Sequence, residues 1–112
     1  LKPNVSYEDF LKMDIRIGVV EAAEKIPKTK KLLVLKVKVG DEIRSIVSAI
    51  AMDYDPDSII GQKVTVLCNL KPRNLCGVES QGMILMTKSN GGSLVFVQPD
   101  AAQNTVSGLK VS

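Results

Sequence analysis

The residues best suited to chemistry lie in one stretch, residues 69–86, which reads NLKPRNLCGVESQGMILM. It carries two cations, Lys71 and Arg73, together with short hydrogen-bonding side chains such as Asn69 and Ser80. These groups would be costly in a hydrophobic core without partners, and they suit a surface that holds phosphates and bases. The stretch lies between a strand-like run and an apolar run, so we expect a loop that joins two strands. An RNA is therefore the first partner to consider.

Positive charge is concentrated in one part of the chain, although the net charge is only +3. Between residues 25 and 38 there is no acid, and the lysines are Lys25, Lys28, Lys30, Lys31, Lys36 and Lys38. One-sided charge of this kind can steer a polyanion and add salt-dependent affinity. The same run also fits a solvated strand face with a lysine-rich loop, and charge alone does not decide between the two.

The composition gives little support to catalysis by this chain alone. There is no histidine, which removes the commonest general base and the commonest metal ligand. Cys68 and Cys76 lack the paired spacing of a zinc site, and no Walker-type glycine loop is present. The acids Asp53, Asp55 and Asp57 are typical of turns and helix caps rather than of a calcium loop. We expect a binding module that is not an enzyme and needs no metal or cofactor.

Length and composition favour one folded domain over residues 1–112. The chain is 45% hydrophobic and 24% charged, as is typical of a folded domain with its own core. No apolar run approaches the roughly 20 residues that span a bilayer, and the N-terminal residues lack a signal-peptide core. We expect a cytoplasmic location with free cysteines and no membrane contact. Because the chain starts at Leu1, we expect a piece of a longer chain or one whose ends were removed.

Short helices and strands can be placed from capping and periodicity. Ser6 and Asp9 form a capping-box-like pair that predicts a helix at residues 7–12. Asp55, Pro56 and Gly61 predict a second compact helix at residues 55–61. Apolar alternation predicts strands at 14–20, 33–39, 43–50, 63–70, 82–88 and 94–97.

This order of elements predicts an all-β fold. In a chain of this size it favours an OB-fold, a five-stranded Greek-key barrel, with short helices and N- and C-terminal extensions. The N-terminal extension would be the capped helix of residues 1–13, and the C-terminal extension would span residues 99–112. Strand count alone leaves an SH3-like or other small barrel open.

Aromatic side chains are scarce, which narrows the kind of RNA that fits. The chain has two Tyr, two Phe and no Trp, whereas nonspecific single-strand binders stack bases on several aromatics. Recognition would instead rest on charge, amides, the Ser80 hydroxyl and the polarizable Met83. Such a set favours a defined, folded RNA.

Several segments resemble the tRNA-binding domain family. The resemblance lies in residues 6–18 (SYEDFLKMDIRIG), 31–37, 46–51 and 69–85, and the pairing of NLKPR with ESQGM is its most specific part. The family includes the C-terminal domains of many methionyl-tRNA synthetases and stand-alone dimeric tRNA-binding proteins. The resemblance implies an OB barrel that binds tRNA by shape, with little dependence on the anticodon.

The resemblance also implies which side chains bind tRNA. The family's two binding loops match Asn69, Lys71, Arg73, Ser80 and Met83. Arg16 falls on the family's first strand and Lys36 on its second, and Lys30 lies in the basic loop between them. The chain departs from the family at Ile26–Lys30, where many members have a histidine-proline element, and at Ala49, where glycine is common. Cys76 stands where a basic residue is common, which removes one cation from the site.

Partners follow from the resemblance as well. The chain looks most like a domain excised from a methionyl-tRNA synthetase, a ligase, and next most like a stand-alone tRNA-binding protein. Bacterial members are usually homodimers, so we expect a dimer through both termini, with Val106, Leu109 and Val111 in the interface. The alternative function is a chaperone-like peptide-binding or dimerisation module, which rests on the apolar run 83–86 and on the tail.

Overall fold

The computed structural model describes every residue from Leu1 to Ser112. The chain contains one short α-helix, one 3-10 helix and nine strands. In chain order these are α1 (Tyr7–Leu11), β1 (Ile15–Lys25), β2 (Leu33–Val39), β3 (Glu42–Ser48), the 3-10 helix (Pro56–Ile59), β4 (Lys63–Leu67), β5 (Arg73–Leu75), β6 (Val78–Ser80), β7 (Met83–Ile84), β8 (Met86–Lys88) and β9 (Leu94–Phe96). None of the helices is long and apolar enough to cross a membrane.

Five strands form one antiparallel sheet in the order β3-β2-β1-β4-β7. The long strand β1 pairs with β4 through residues 15–19 and with β2 through residues 19–25. Its register with β2 shifts between Val20 and Ala22, and an irregularity of this kind bends a strand. The bend curls the sheet into a half-barrel, and β4 beside β1 is the Greek-key order. The predicted all-β, OB-like fold class is confirmed.

The free edge of β3 is closed by Ser80 and Gln81, through side-chain and backbone bonds, rather than by a paired strand. Val47 N donates to Ser80 Oγ at 3.0 Å, and Ser45 N donates to Gln81 Oε1, also at 3.0 Å. Gln81 N donates in return to Ser45 O at 2.8 Å. Since buried backbone groups need partners, Ser80 and Gln81 complete the barrel where strand pairing stops.

The core lies inside the curled sheet and follows the predicted alternation. On β2, Leu33, Leu35 and Val37 are fully buried, whereas Lys36 and Lys38 are exposed. Each fully buried Leu or Val side chain contributes about 1.5–3 kcal/mol relative to exposure. The inward residues of the neighbouring strands complete the core: Val20, Ile46, Val64, Val66 and Ile84.

Both predicted helices are present near the expected positions, but their capping differs from the prediction. Ser6 is the N-cap of α1, and its Oγ accepts from Asp9 N at 3.1 Å. The Asp9 carboxylate accepts instead from Lys12 Nζ at 3.1 Å, so only half of a capping box forms. The second helix is a 3-10 helix, and Asp55 makes no side-chain cap bond there. Its backbone carbonyl is used instead, because it accepts from Ser58 Oγ at 2.6 Å.

Several predicted strand boundaries are wrong. The first strand continues to Lys25 instead of ending at residue 20, and the third ends at Ser48 instead of residue 50. The predicted strand 63–70 ends at Leu67; Cys68 N still donates to Asp14 O at 2.7 Å, in register with the β1–β4 pairing, and the chain turns at residues 68–69. The predicted strand 82–88 is two strands, β7 and β8, interrupted at Leu85. The Leu85 amide still donates to Thr65 O at 2.9 Å, in register with the β4–β7 pairing, and after it the chain leaves the main sheet and pairs with β9.

The C-terminal extension returns to the first part of β1. Gly108 N donates to Ile17 O at 2.7 Å, Ile17 N donates to Leu109 O at 2.9 Å, and Val111 N donates to Ile15 O at 2.8 Å. The tail therefore adds backbone hydrogen bonds beside β1 within the same chain. It covers the N–H and C=O groups that would otherwise form an open edge there.

Candidate nucleic-acid interface

The segment after β4 contains a β-hairpin where the sequence pattern predicted a plain loop. Strands β5 and β6 pair Arg73 with Ser80 and Leu75 with Val78. The two residues of the turn, Cys76 and Gly77, have φ angles of 51° and 84°, as in a type I′ hairpin turn. Gly77 was the available signal, but cysteine in place of the usual Asn, Asp or Gly at the first position obscured it.

The hairpin and the start of β7 enclose a small cavity on the barrel surface. It has a volume of about 160 Å³, and Lys71, Arg73, Ser80 and Met83 line it. Val47 of β3, the leucines Leu70 and Leu75, and Gly82 complete its walls. Four of the five residues implied by the family's binding loops therefore meet around one cavity with mixed polar and apolar walls.

The two cations of the cavity are free of acidic partners. Lys71 and Arg73 are exposed, and none of the three salt bridges in the chain includes either of them. An unpaired guanidinium can grip a phosphate with two parallel hydrogen bonds, and a lysine adds a point charge. Met83, 44% exposed, gives the same cavity a polarizable apolar side.

Ser80 forms a buried part of the cavity wall. The residue is only 6% exposed; its hydroxyl accepts from Val47 N and donates to Gly82 O at 3.2 Å. The one hydroxyl hydrogen is thus already used. Gly82 has a φ of +146°, and a Cβ there would lie 3.0 Å from Leu67 O. Glycine is needed at this position because the chain passes so close to β4.

Asn69 lies outside the cavity and holds the N-terminal segment. Its Nδ2 donates to Lys12 O at 2.6 Å, and its Oδ1 accepts from Asp14 N at 2.8 Å. The carboxamide therefore bridges the two residues that lead from α1 into β1. Its implied role in tRNA binding stays a prediction, and the contacts observed give it a structural role.

The remaining three predicted residues are spread over the surface. Arg16 donates from Nε to Asp14 Oδ1 at 2.7 Å and from one terminal nitrogen to Gly108 O at 3.2 Å, so it anchors the tail. Lys36 lies closer to the cavity, because its Nζ donates to Ser45 Oγ on the strand that Gln81 closes. Lys30 is exposed in the loop between β1 and β2 and does not line the cavity. Their binding roles stay predictions.

Sequence reasoning missed Arg44, a residue of β3 that bonds to both ends of the β5–β6 hairpin segment. One terminal nitrogen of its guanidinium donates to both Cys68 O and Gln81 O, the latter at 3.1 Å. Arg44 lies two residues before the buried Ile46 and opposite the buried Val37. A cation at an inward-facing strand position was the signal that could have identified it.

The two cysteines differ in environment. Cys68 is buried, and Cys76 is exposed at the hairpin turn. Burial raises the pKa of the Cys68 thiol above its ordinary value of 9.0, although the charge of Arg44 acts in the opposite direction. Cys68 therefore stays a neutral thiol at neutral pH and acts as a small apolar core residue.

Ala49, the other departure, lies exposed in a bend after β3. Its methyl group therefore points away from the core.

Comparison with known proteins gives consistent likenesses. Residues 15–107 match the model of a family described as "Putative tRNA binding domain". The chain is 61% identical over 100 residues to the methionine–tRNA ligase of Flavobacterium johnsoniae, which is 89% of this chain but 14% of the ligase. It therefore spans only a small part of the curated relatives that it matches.

Solved structures give the same likeness over the whole barrel. The crystal structure of a MetRS related protein from Pyrococcus horikoshii is 34% identical with a TM-score of 0.88, covering 99% of this chain and all of that one. The chaperone CsaA of Bacillus anthracis is 29% identical with a TM-score of 0.85, covering 98% of this chain and all of that one.

Proposed function

Because the chain belongs to the tRNA-binding domain family, we propose that it is a non-catalytic module that binds folded tRNA by shape and charge. The observation that carries the proposal is the cavity beside the β5–β6 hairpin. Lys71 and Arg73 stand there free of acidic partners, next to the exposed thioether of Met83. The cations would hold phosphates, and Met83 would contact a base or a ribose.

The lysines of β2 would extend this surface. Lys36 and Lys38 lie on its exposed face, and Lys36 reaches Ser45, which is bonded to Gln81 at the edge of the hairpin segment. Cations on two elements of one rigid barrel would meet phosphates that only a folded RNA presents at the matching separation. Shape selectivity would follow from that spacing, since the chain offers few aromatic side chains for stacking.

The test replaces the two cavity cations by alanine in the double variant Lys71→Ala, Arg73→Ala. Loss of two phosphate contacts is expected to weaken tRNA binding and to reduce the slope of log K against log salt by about two. The matched control is Lys88→Ala, an exposed lysine of β8 outside the cavity. A double variant that binds with the affinity and slope of the control would exclude the cavity as the binding site.

We also propose that the module supports methionyl-tRNA synthetase, in cis or in trans. The proposal draws on the 61% identity to a methionine–tRNA ligase, of which the chain matches 14%. A cytoplasmic location follows from that role. Adding the chain to a methionyl-tRNA synthetase lacking its own such domain should lower the KM for tRNA and leave methionine activation unchanged. An unchanged KM would contradict the role in trans.

A homodimer through the termini is a further proposal. Apolar side chains of both ends are exposed, among them Leu11, Met13, Val106 and Leu109. The two ends also border one cavity of about 280 Å³, between residues 10–16 and 110–112. Leu109→Glu together with Val106→Glu should give a monomer in sedimentation, and Val95→Glu, at an exposed position of β9, should not. Equal behaviour of the two proteins would exclude the tail from the interface.

A peptide-binding role is the second candidate, favoured by the likeness to a structure described as a chaperone. Of the apolar run 83–86 on which this candidate rested, Ile84 is buried and Met83 is the exposed member, so the binding surface would be Met83 and the tail. Binding of a reduced, unfolded polypeptide that tRNA fails to displace would support it. Full displacement by tRNA, or no binding, would exclude it.

A further inference from the structure

Arg44 joins the two ends of the segment that forms the cavity. The same terminal nitrogen of its guanidinium donates to Cys68 O and to Gln81 O. Cys68 comes directly before Asn69, and Gln81 comes directly after Ser80. A single side chain of β3 therefore fixes both points at which the β5–β6 hairpin segment leaves the barrel.

We propose that Arg44 is a positioning residue, which sets the affinity for tRNA by holding the hairpin segment and not by touching the RNA. This inference rests on the proposed function, because it concerns the same cavity. It assigns Arg44 a role different from that of Lys71 and Arg73, whose side chains are exposed. Arg44 lies outside the hairpin cavity, although it borders a neighbouring surface groove together with Lys71 and Asn69.

The environment of Arg44 directs its donors toward the protein. Its side chain is only 22% exposed, and its second terminal nitrogen lies 3.4 Å from Glu42 Oε2. Its Nε is buried without a hydrogen-bond partner, an arrangement that costs stability. The double contact from one terminal nitrogen to Cys68 O and Gln81 O is the interaction that offsets this cost.

The hairpin needs such a support, because β5 and β6 pair only with each other. An isolated two-stranded hairpin is marginally stable in water. Ser80 and Gln81 fix the β6 side through their bonds to β3, and Cys68 N and the Asn69 carboxamide tie the β5 side to the N-terminal segment. Arg44 is the side chain that bonds to both sides at once, through Cys68 O and Gln81 O. Without it, Lys71 and Arg73 would sample several positions, and binding would have to order them again.

The experiment compares Arg44→Met, which keeps a long apolar stem, with Arg44→Lys, which keeps a cation and donors on a shorter stem. Hydrogen exchange of the wild-type and variant chains is measured without tRNA. We expect exchange of the β5 and β6 amides to rise in Arg44→Met, to rise less in Arg44→Lys, and to stay unchanged in β1 and β2. Affinity for tRNA should fall about tenfold in Arg44→Met with an unchanged salt slope, and Arg44→Lys should recover part of it.

The contrary results distinguish failure of the Arg44 proposal from failure of the proposed function. Hairpin exchange that does not respond to Arg44, or exchange that rises equally in β1 and β2, would overturn the positioning role. A salt slope reduced by about one in Arg44→Met would assign Arg44 a phosphate contact and overturn it as well. Wild-type protein that binds no tRNA would overturn the proposed function, whereas the exchange result would still decide whether Arg44 holds the hairpin.

Discussion

The hydroxyl of Ser80 stands where a strand carbonyl would otherwise accept from Val47. The distance from Val47 N to Ser80 Oγ is 3.0 Å, and the hydroxyl in turn donates a hydrogen bond to Gly82 O at 3.2 Å. The same side chain lines the cavity beside Lys71 and Arg73. One residue thus completes the barrel and forms the wall of the candidate site, so changes there should affect stability and binding together.

Ser80→Ala should destabilise the fold. It leaves the Val47 amide without its acceptor, and an unsatisfied buried group costs about 1–3 kcal/mol. Urea unfolding measures the loss, and hydrogen exchange at Val47 locates it. The matched control is Ser45→Ala, whose hydroxyl accepts from the exposed Lys36. Equal stability of the two variants would contradict the closing role of Ser80.

Asn69→Ala should loosen the N-terminal segment. It removes the two hydrogen bonds to Lys12 O and Asp14 N, each worth about 0.5–1.5 kcal/mol net. Faster exchange of the Asp14 amide is expected. Affinity for tRNA should fall without a change in salt slope, because the residue is uncharged. Asn90→Ala, in the exposed turn between β8 and β9, is the control. A normal Asp14 amide in Asn69→Ala would show that the bridge is dispensable.

Hydrophobic alternation alone was sufficient to predict which side chains of β2 are buried. The alternation of β2 correctly placed Leu33, Leu35 and Val37 inside and Lys36 outside, because burial of one sheet face determines register. Four residues around the cavity, Lys71, Arg73, Ser80 and Met83, were named from the sequence and the family resemblance, and their binding role stays a prediction. What periodicity could not supply were the partners of Asn69 and Ser80, since both bond to backbone groups far away along the chain.

The hairpin and its support could not be predicted for different physical reasons. Its turn uses Cys76 at a positive φ, which non-glycine residues rarely adopt, so the usual turn signal was weak. Arg44 was concealed within a strand pattern, because its role depends on Cys68 and Gln81 being brought together at one end of the barrel. Such convergence is a property of the closed fold and not of any local window.

Met83→Ala should weaken tRNA binding without changing its salt dependence. Met83 is uncharged and about half exposed at the cavity. Loss of its partly buried contact should cost about 1 kcal/mol, or about fivefold in affinity. Met52→Ala, an exposed methionine in the turn after β3, provides the comparison. If both variants bind alike, Met83 makes no contact with the RNA.

The cysteines should differ in reactivity toward iodoacetamide. In the native protein at pH 8, Cys76 should be alkylated and Cys68 protected, because Cys68 is buried and burial raises its pKa. Because the folded protein raises this pKa, folding favours the protonated thiol. That contribution to the free energy of unfolding is fully present below the ordinary pKa of 9.0 and is lost as pH rises through the raised value. Peptide mass spectrometry with and without denaturant measures both sites. Equal native labelling would contradict the buried position.

The most direct test of the central claim is a salt titration of binding to bulk tRNA, with duplex DNA and polyuridine as competitors. We predict a steep fall of affinity with salt and displacement of tRNA by neither competitor at equal phosphate concentration. Such a result would establish a module that reads folded tRNA by shape and charge. A flat salt dependence, or displacement by DNA or polyuridine as readily as by tRNA itself, would contradict it.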